Sequence, residues 1–281
     1  MTKRCFITGL VLLLSIIAEP LMADDSVKDS PWEKFSFNAG AFLSSSNTDL
    51  RFGSGAGISI NVEEAFGMEA KNRVFRVDSF WRFTANRRHR IDFSWFSYNR
   101  TGSRTITEEI TIEPPVGEDI IIFPGTKVES YMDLDIFQLD YSYSFIQDDR
   151  LDLAATLGLY VMPTGFGFSA TGIVDDEGDQ SFTAPLPTLG LKVDVLLAPK
   201  WYLRSGFQLF YLEYEEFTGS LINVRSAVEY NPWKHVGFGL GVDALRFGLK
   251  ADGTEDYPGI DLRGDVKFGY TGLMLYGRVF F

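Results

Sequence analysis

From Phe35 to Phe281 the chain is written in repeated runs of alternating apolar and polar residues. Successive side chains of a strand point to opposite faces, so a period of two marks a strand with two unlike faces. Between Arg73 and Thr84, Phe75, Val77, Trp81 and Phe83 fall on one face, and Arg76, Asp78, Phe80 and Arg82 on the other. Ile91, Phe93 and Trp95 oppose Arg90, Asp92 and Ser94, and Phe137, Leu139, Tyr141, Tyr143 and Phe145 oppose Gln138, Asp140, Ser142 and Ser144. The runs are close to ~10 residues, enough for a tilted strand to cross a bilayer. After residue 23 no apolar run has the length of a transmembrane helix. A chain crosses lipid only as helices or as a closed barrel, because unsatisfied backbone groups are too costly there. If this chain enters a membrane, it does so as a barrel.

Soluble antiparallel sheets share the same period. Two features favour the barrel. Leu, Phe, Tyr and Trp crowd the apolar faces of nearly every run, and aromatic residues reach 15% of the sequence. The connections also alternate in length. Asn86–His89, Gln147–Arg150, Pro199–Lys200 and Asn231–Lys234 are short, and most of the others are long and acidic. Short turns at one end and long loops at the other are the outer-membrane pattern, with the short turns periplasmic. The predicted fold is an all-β, antiparallel, up-and-down transmembrane barrel. Ten strands result when the segment before Arg73, with Gly53–Gly57 and Val62–Phe66, is a long outer loop bearing its own hairpin. Eight or twelve follow if that segment, or the 101–127 connection, divides differently.

The N-terminus has the form of a secretory signal: Lys3 and Arg4, an apolar stretch from Phe6 to Ala18, then small Ala23 before Asp24 and Asp25. The expected organisation is a cleaved signal over 1–23, a periplasmic segment over 24–34 and the barrel over 35–281. Cys5, the only cysteine, falls within the signal, so the exported chain has no disulfide and no thiolate site. Removing the signal leaves the chain slightly more acidic than the −12 of the whole sequence, a balance that excludes nucleic-acid binding through clustered Lys and Arg. The last run places Leu273, Leu275, Val279 and Phe281 on one face and Met274, Tyr276, Arg278 and Phe280 on the other. A lipid-compatible strand ending on an aromatic is an expected signal for the barrel insertion machinery.

The signal, the terminal Phe281 and the strand rhythm together resemble small bacterial outer-membrane barrels of the OmpW and OmpA-barrel kind. That resemblance implies outer-membrane location, with lipid and lipopolysaccharide as surroundings. OmpW-type members imply passage of small hydrophobic molecules, and OmpA-type barrels imply structural and surface-contact roles. No catalytic motif is carried over.

The faces opposite the apolar ones hold Arg76, Arg82, Arg90, Lys192, Arg204, Arg225 and Arg278 against Asp78, Asp92, Asp140, Asp152, Asp194, Glu229 and Asp243. In a narrow barrel such charges must pair, because an isolated buried charge is very costly. The expected interior is ion-paired and largely filled. A polar pore or gate from the same residues is the alternative. Gly237, Gly239 and Gly241 would make room for Phe80, Phe96, Phe210 or Tyr276.

An enzyme needs its base beside its nucleophile. Of the two histidines, His89 and His235 both fall at short turns, away from the outer leaflet. Asp133 and Asp135 share one strand face and form the nearest thing to a carboxylate pair. No catalytic, cofactor or metal residue is assigned. The acidic loops, such as Asp175–Asp179, offer oxygen ligands suited to divalent cations but no EF-hand spacing. Ile120–Phe123 is an unusual apolar run for an exposed loop. The function expected is non-enzymatic, in envelope integrity or surface interaction, with passage of small or hydrophobic solutes as the alternative.

Overall fold

The computed structural model describes residues 30–52, 60–61, 67–107, 110–112, 120–170, 180–214, 217–251 and 264–281. The expected signal peptide and most of the acidic loop residues lie outside them. Every regular element described is a strand: β1 (Phe35–Phe52), β2 (Ile60–Asn61), β3 (Lys71–Arg82), β4 (His89–Thr105), β5 (Ile110–Ile112), β6 (Ile120–Ile122), β7 (Lys127–Gln147), β8 (Leu151–Ala170), β9 (Gln180–Ala198), β10 (Trp201–Tyr214), β11 (Phe217–Tyr230), β12 (Val236–Ala251) and β13 (Gly264–Phe280).

Ten of these pair antiparallel with their sequence neighbours in one up-and-down sheet. The sheet closes where β1 meets β13, from Ser36 opposite Phe280 to Phe52 opposite Gly264. At the seam the Phe281 carbonyl accepts from the amides of Lys34 and Phe35 (2.6 and 3.0 Å), and the Phe281 amide donates to Phe35 (3.0 Å). Closure removes both edges, as lipid requires. The two-residue β2 adds to β1 near Leu50. Ile110–Ile112 and Ile120–Ile122 pair with each other as a separate hairpin, which accounts for the apolar run in that connection.

Several staves run well past the expected ~10-residue crossing length. β7 spans 21 residues and β8 spans 20. The extra length belongs to the long-loop end, where the two faces exchange character. On β7, outward Phe137, Leu139, Tyr141 and Tyr143 are exposed and apolar, and inward Gln138, Asp140, Ser142 and Ser144 are polar. Nine residues of the same strand nearer the long loops reverse this. Val128, Met132, Leu134 and Ile136 are buried inside, and Glu129, Asp133 and Asp135 lie outside. β4 changes between Trp95 and Phe96, and β12 between Ala244 and Leu245. The barrel therefore has a lipid-type belt around its short-turn half. On these three strands the long-loop half has the polar-out, apolar-in section of a water-soluble barrel.

Candidate functional site

The interior has two storeys. The short-turn storey is ionic. Arg76 donates to Asp243 (2.5 Å) and Asp78 (3.1 Å), and Arg225 grips both Asp78 oxygens at 2.8 Å. Asp243 also accepts from Asn223 (2.7 Å). Lys192 bridges Asp92 (2.8 Å) and Asp140 (2.9 Å), and Arg90 pairs with Asp92 and Asp194. Arg82 joins Asp152 to Asp194, and Arg204 joins Asp194 (2.6 Å) to Glu229 (2.5 Å). Arg278 pairs with Glu229. Arg76, Arg82, Arg90, Lys192, Arg204, Arg225 and Arg278 thus each pair inside the barrel with one or more of Asp78, Asp92, Asp140, Asp152, Asp194, Glu229 and Asp243. Gln208 and Gln138 donate to Asp140, and the Tyr160 hydroxyl donates to Gln208, so the carboxylates have neutral partners as well. The Phe80 ring sits among three guanidinium groups, those of Arg90 (4.0 Å), Arg204 (5.4 Å) and Arg82 (5.7 Å) from its centroid. Tyr276 occupies the space where a Cβ on Gly239 would lie, which is why a glycine stands there.

One member had no signal in the alternation. Glu33 precedes β1, is 7% exposed, and pairs with Arg204 and Arg278. Its neighbour Trp32 is 1% exposed and donates its indole N–H to the Asp148 carbonyl (2.7 Å). Arg87 donates to the Trp32 carbonyl, and the Tyr202 hydroxyl donates to Pro31 (3.2 Å). Residues 31–33 are thus held at the short-turn end by the β3–β4 and β7–β8 turns and by side chains of β10 and β13. Burial works against ionisation of the Glu33 carboxyl, but Arg204, Arg278 and Arg82 outweigh it and hold the group well below the usual carboxylate range.

The long-loop storey is mainly apolar, with a buried polar strip along β1 where Arg100 donates to Ser46 (3.0 Å) and Thr48 (2.7 Å) and the Tyr98 hydroxyl to Ser44 (2.6 Å). Phe42, Phe96 and Tyr270 meet edge to face at 5.3–5.7 Å. Tyr98, Phe247 and Phe268 extend this cluster, and Met132, Leu134, Met162, Leu186 and Leu245 fill in around it. Arg76 lies over the Phe96 ring at 4.5 Å and joins the storeys. Within the ionic storey a cavity of about 100 Å³ remains, lined by Asp92, Asp140, Lys192, Gln208 and Arg225 among others. It has room for a few waters.

The other candidates lie apart. His89 Nδ1 is 2.7 Å from the Tyr141 hydroxyl, and His235 Nδ1 is 2.9 Å from the Phe280 carbonyl, both at the short-turn rim. Asp133 and Asp135 are on the outer wall of β7, facing away from the interior. Leu273, Leu275, Val279 and Phe281 are exposed on the outward face of β13 and its end. Among the described residues no group of three or more His, Cys, Asp or Glu is arranged to hold a metal.

No family model matches the sequence, and no curated protein matches it. The fold does have counterparts among solved structures. The outer-membrane protease OmpT from Escherichia coli superposes with a TM-score of 0.53 at 10% identity, over 91% of this chain and 99% of OmpT. The translocator domain of the autotransporter NalP from Neisseria meningitidis gives 0.41 at 10% identity over 96% and 97%. Ail, the attachment invasion locus protein of Yersinia pestis, gives 0.35 at 11% identity over 89% and 100%. At such identities the likeness is one of architecture: this chain has the fold of the outer-membrane β-barrels.

Proposed function

We propose that this protein is a non-enzymatic outer-membrane barrel, exported by a cleaved N-terminal signal, whose interior is closed and whose role is envelope integrity or surface contact. The carrying observation is the two-storey interior. An ion that entered the charged half from the periplasm would face a packed aromatic and aliphatic cluster above it, and the Arg100, Ser46 and Thr48 side chains beside that cluster are already bonded to one another. The charges below are mutually neutralised and hydrogen-bonded, the arrangement that makes burial tolerable. A barrel of this strand number also leaves little room once its side chains are in place. The 100 Å³ cavity is a pocket for water rather than a path.

OmpT is a protease, and its likeness to this chain makes an enzyme the natural competitor. Here the two histidines sit at the short-turn rim with other partners, and Asp133 and Asp135 point outward from β7. That arrangement favours the non-enzymatic reading.

Planar-bilayer recording on the refolded chain tests closure. The expected result is a silent membrane, with insertion confirmed by a heat-modifiable band on gels. Reproducible current steps would overturn the closed interior and make solute passage the leading reading.

A further inference from the structure

The outer wall at the edge of the lipid-type belt is not uniform in charge. On four adjacent staves, β3, β1, β13 and β12, the first outward residue beyond the belt is Arg73, Ser45, Thr271 or Arg246. Each follows an apolar outward residue two positions away on its own strand: Phe75, Leu43, Leu273 and Ala244. The register ties them together. Arg73 lies opposite Leu43, Ser45 opposite Thr271, and Arg246 opposite Gly269. Strand tilt then brings the four to one level around the barrel. Lys71 is exposed one step further out on β3, and Lys267, two steps further out on β13, is exposed and paired with Asp265 (3.2 Å).

The wall beside it differs. On β4, which pairs with β3, and on β7 beyond it, the corresponding positions are Ser97 opposite Asp135 and Asn99 opposite Asp133. Two arginines flanking two hydroxyls at a lipid–water boundary form a donor row. Asp135, two strands along from Arg73, would repel the same ligand and so bounds the row on that side.

We infer that the β3–β1–β13–β12 wall binds the phosphate groups of outer-leaflet lipid, so that the barrel takes a preferred lipid on one side. The inference rests on the outer-membrane reading given above. Guanidinium groups grip phosphate with two parallel bonds, and hydroxyls add neutral donors. A basic side chain at the surface of an anionic membrane gains attraction that fades within a Debye length, so position at the belt edge matters.

The test is retention of lipid A by the refolded chain in neutral detergent, read by native mass spectrometry during titration. The wild type should hold bis-phosphorylated lipid A at least ~10-fold more tightly than the Arg73→Gln/Arg246→Gln double variant. Dephosphorylated lipid A should show no such difference. Asp133→Asn/Asp135→Asn should leave binding unchanged or slightly raised. Equal lipid A binding by wild type and double variant, or equal binding of the dephosphorylated form, would sink the inference. Should the double variant fail to fold, the single Arg73→Gln and Arg246→Gln chains give the same comparison at smaller amplitude. Failure of the outer-membrane reading would show separately, as a wild-type chain that does not insert into vesicles.

Discussion

Gly239 shows how closely single residues are fitted inside this barrel. A side chain there would collide with the Tyr276 ring, whose hydroxyl donates to Glu229 at 2.9 Å. Moving that ring also disturbs the acceptor shared by Arg204 and Arg278. Gly239→Val is expected to destabilise by about 1–3 kcal/mol in urea unfolding from lipid vesicles, the ordinary cost of overpacking. Adding Tyr276→Ala should recover part of the loss. The inward face of each predicted charged residue was legible because it followed from alternation alone. The identity of its partner was not. Arg76 and Asp243 are 167 positions apart in sequence, and only the order in which strands close the barrel brings them together. Glu33 was illegible for another reason. It stands before the first strand, where no period exists to give it a face.

At the scale of the strand, the feature that alternation alone does not give is the exchange of faces along several staves. β1 conceals it, because beyond Leu43 both faces are polar: Ser44, Ser46 and Thr48 inside, Ser45, Asn47 and Asp49 outside. The pattern loses contrast there, so alternation alone does not mark how far the strand extends. Other staves do mark the change with an apolar doublet that breaks the alternation: Val74–Phe75, Trp95–Phe96, Ile136–Phe137, Leu221–Ile222 and Ala244–Leu245. One member of each pair faces the core and the other faces the belt. The assignment makes a paired prediction on one face of one strand. Leu139→Arg, in the belt, should cost about 2–4 kcal/mol of stability in lipid. Asp133→Arg, on the same face of β7 beyond the belt, should stay within about 0.5 kcal/mol, as surface substitutions do. Equal costs in vesicle-based unfolding would mean the belt edge is misplaced.

For the molecule as a whole, the ends of the described chain matter most. The Phe281 backbone closes the seam against Lys34 and Phe35, and Glu33 enters the network one residue before it. Seating the N-terminal segment and closing the barrel are thus neighbouring events. The Glu33 carboxyl is held below its ordinary value of 4.5 by Arg204, Arg278 and Arg82 despite burial. A group depressed in this way adds stability that is fully present above its unfolded value. That contribution declines as pH falls below about 4.5 toward the folded value. Tryptophan fluorescence should therefore report Trp32 as buried at neutral pH and progressively released below that point. Glu33→Gln should weaken the seating at neutral pH and flatten this part of the profile. A variant with the wild-type acid profile would show that other carboxylates govern release.

The exchange of faces has a mechanical consequence. A barrel wall that is polar outside and packed inside does not need lipid to hold its shape. On β7 this self-supporting stretch runs from Asp135 to Lys127, which at ~3.3 Å per residue and a tilt near 40° lifts the strand end roughly 20 Å above the bilayer. The molecule therefore carries a rigid pedestal. The outer end of β7 thus stands at a set height above the lipid-type belt.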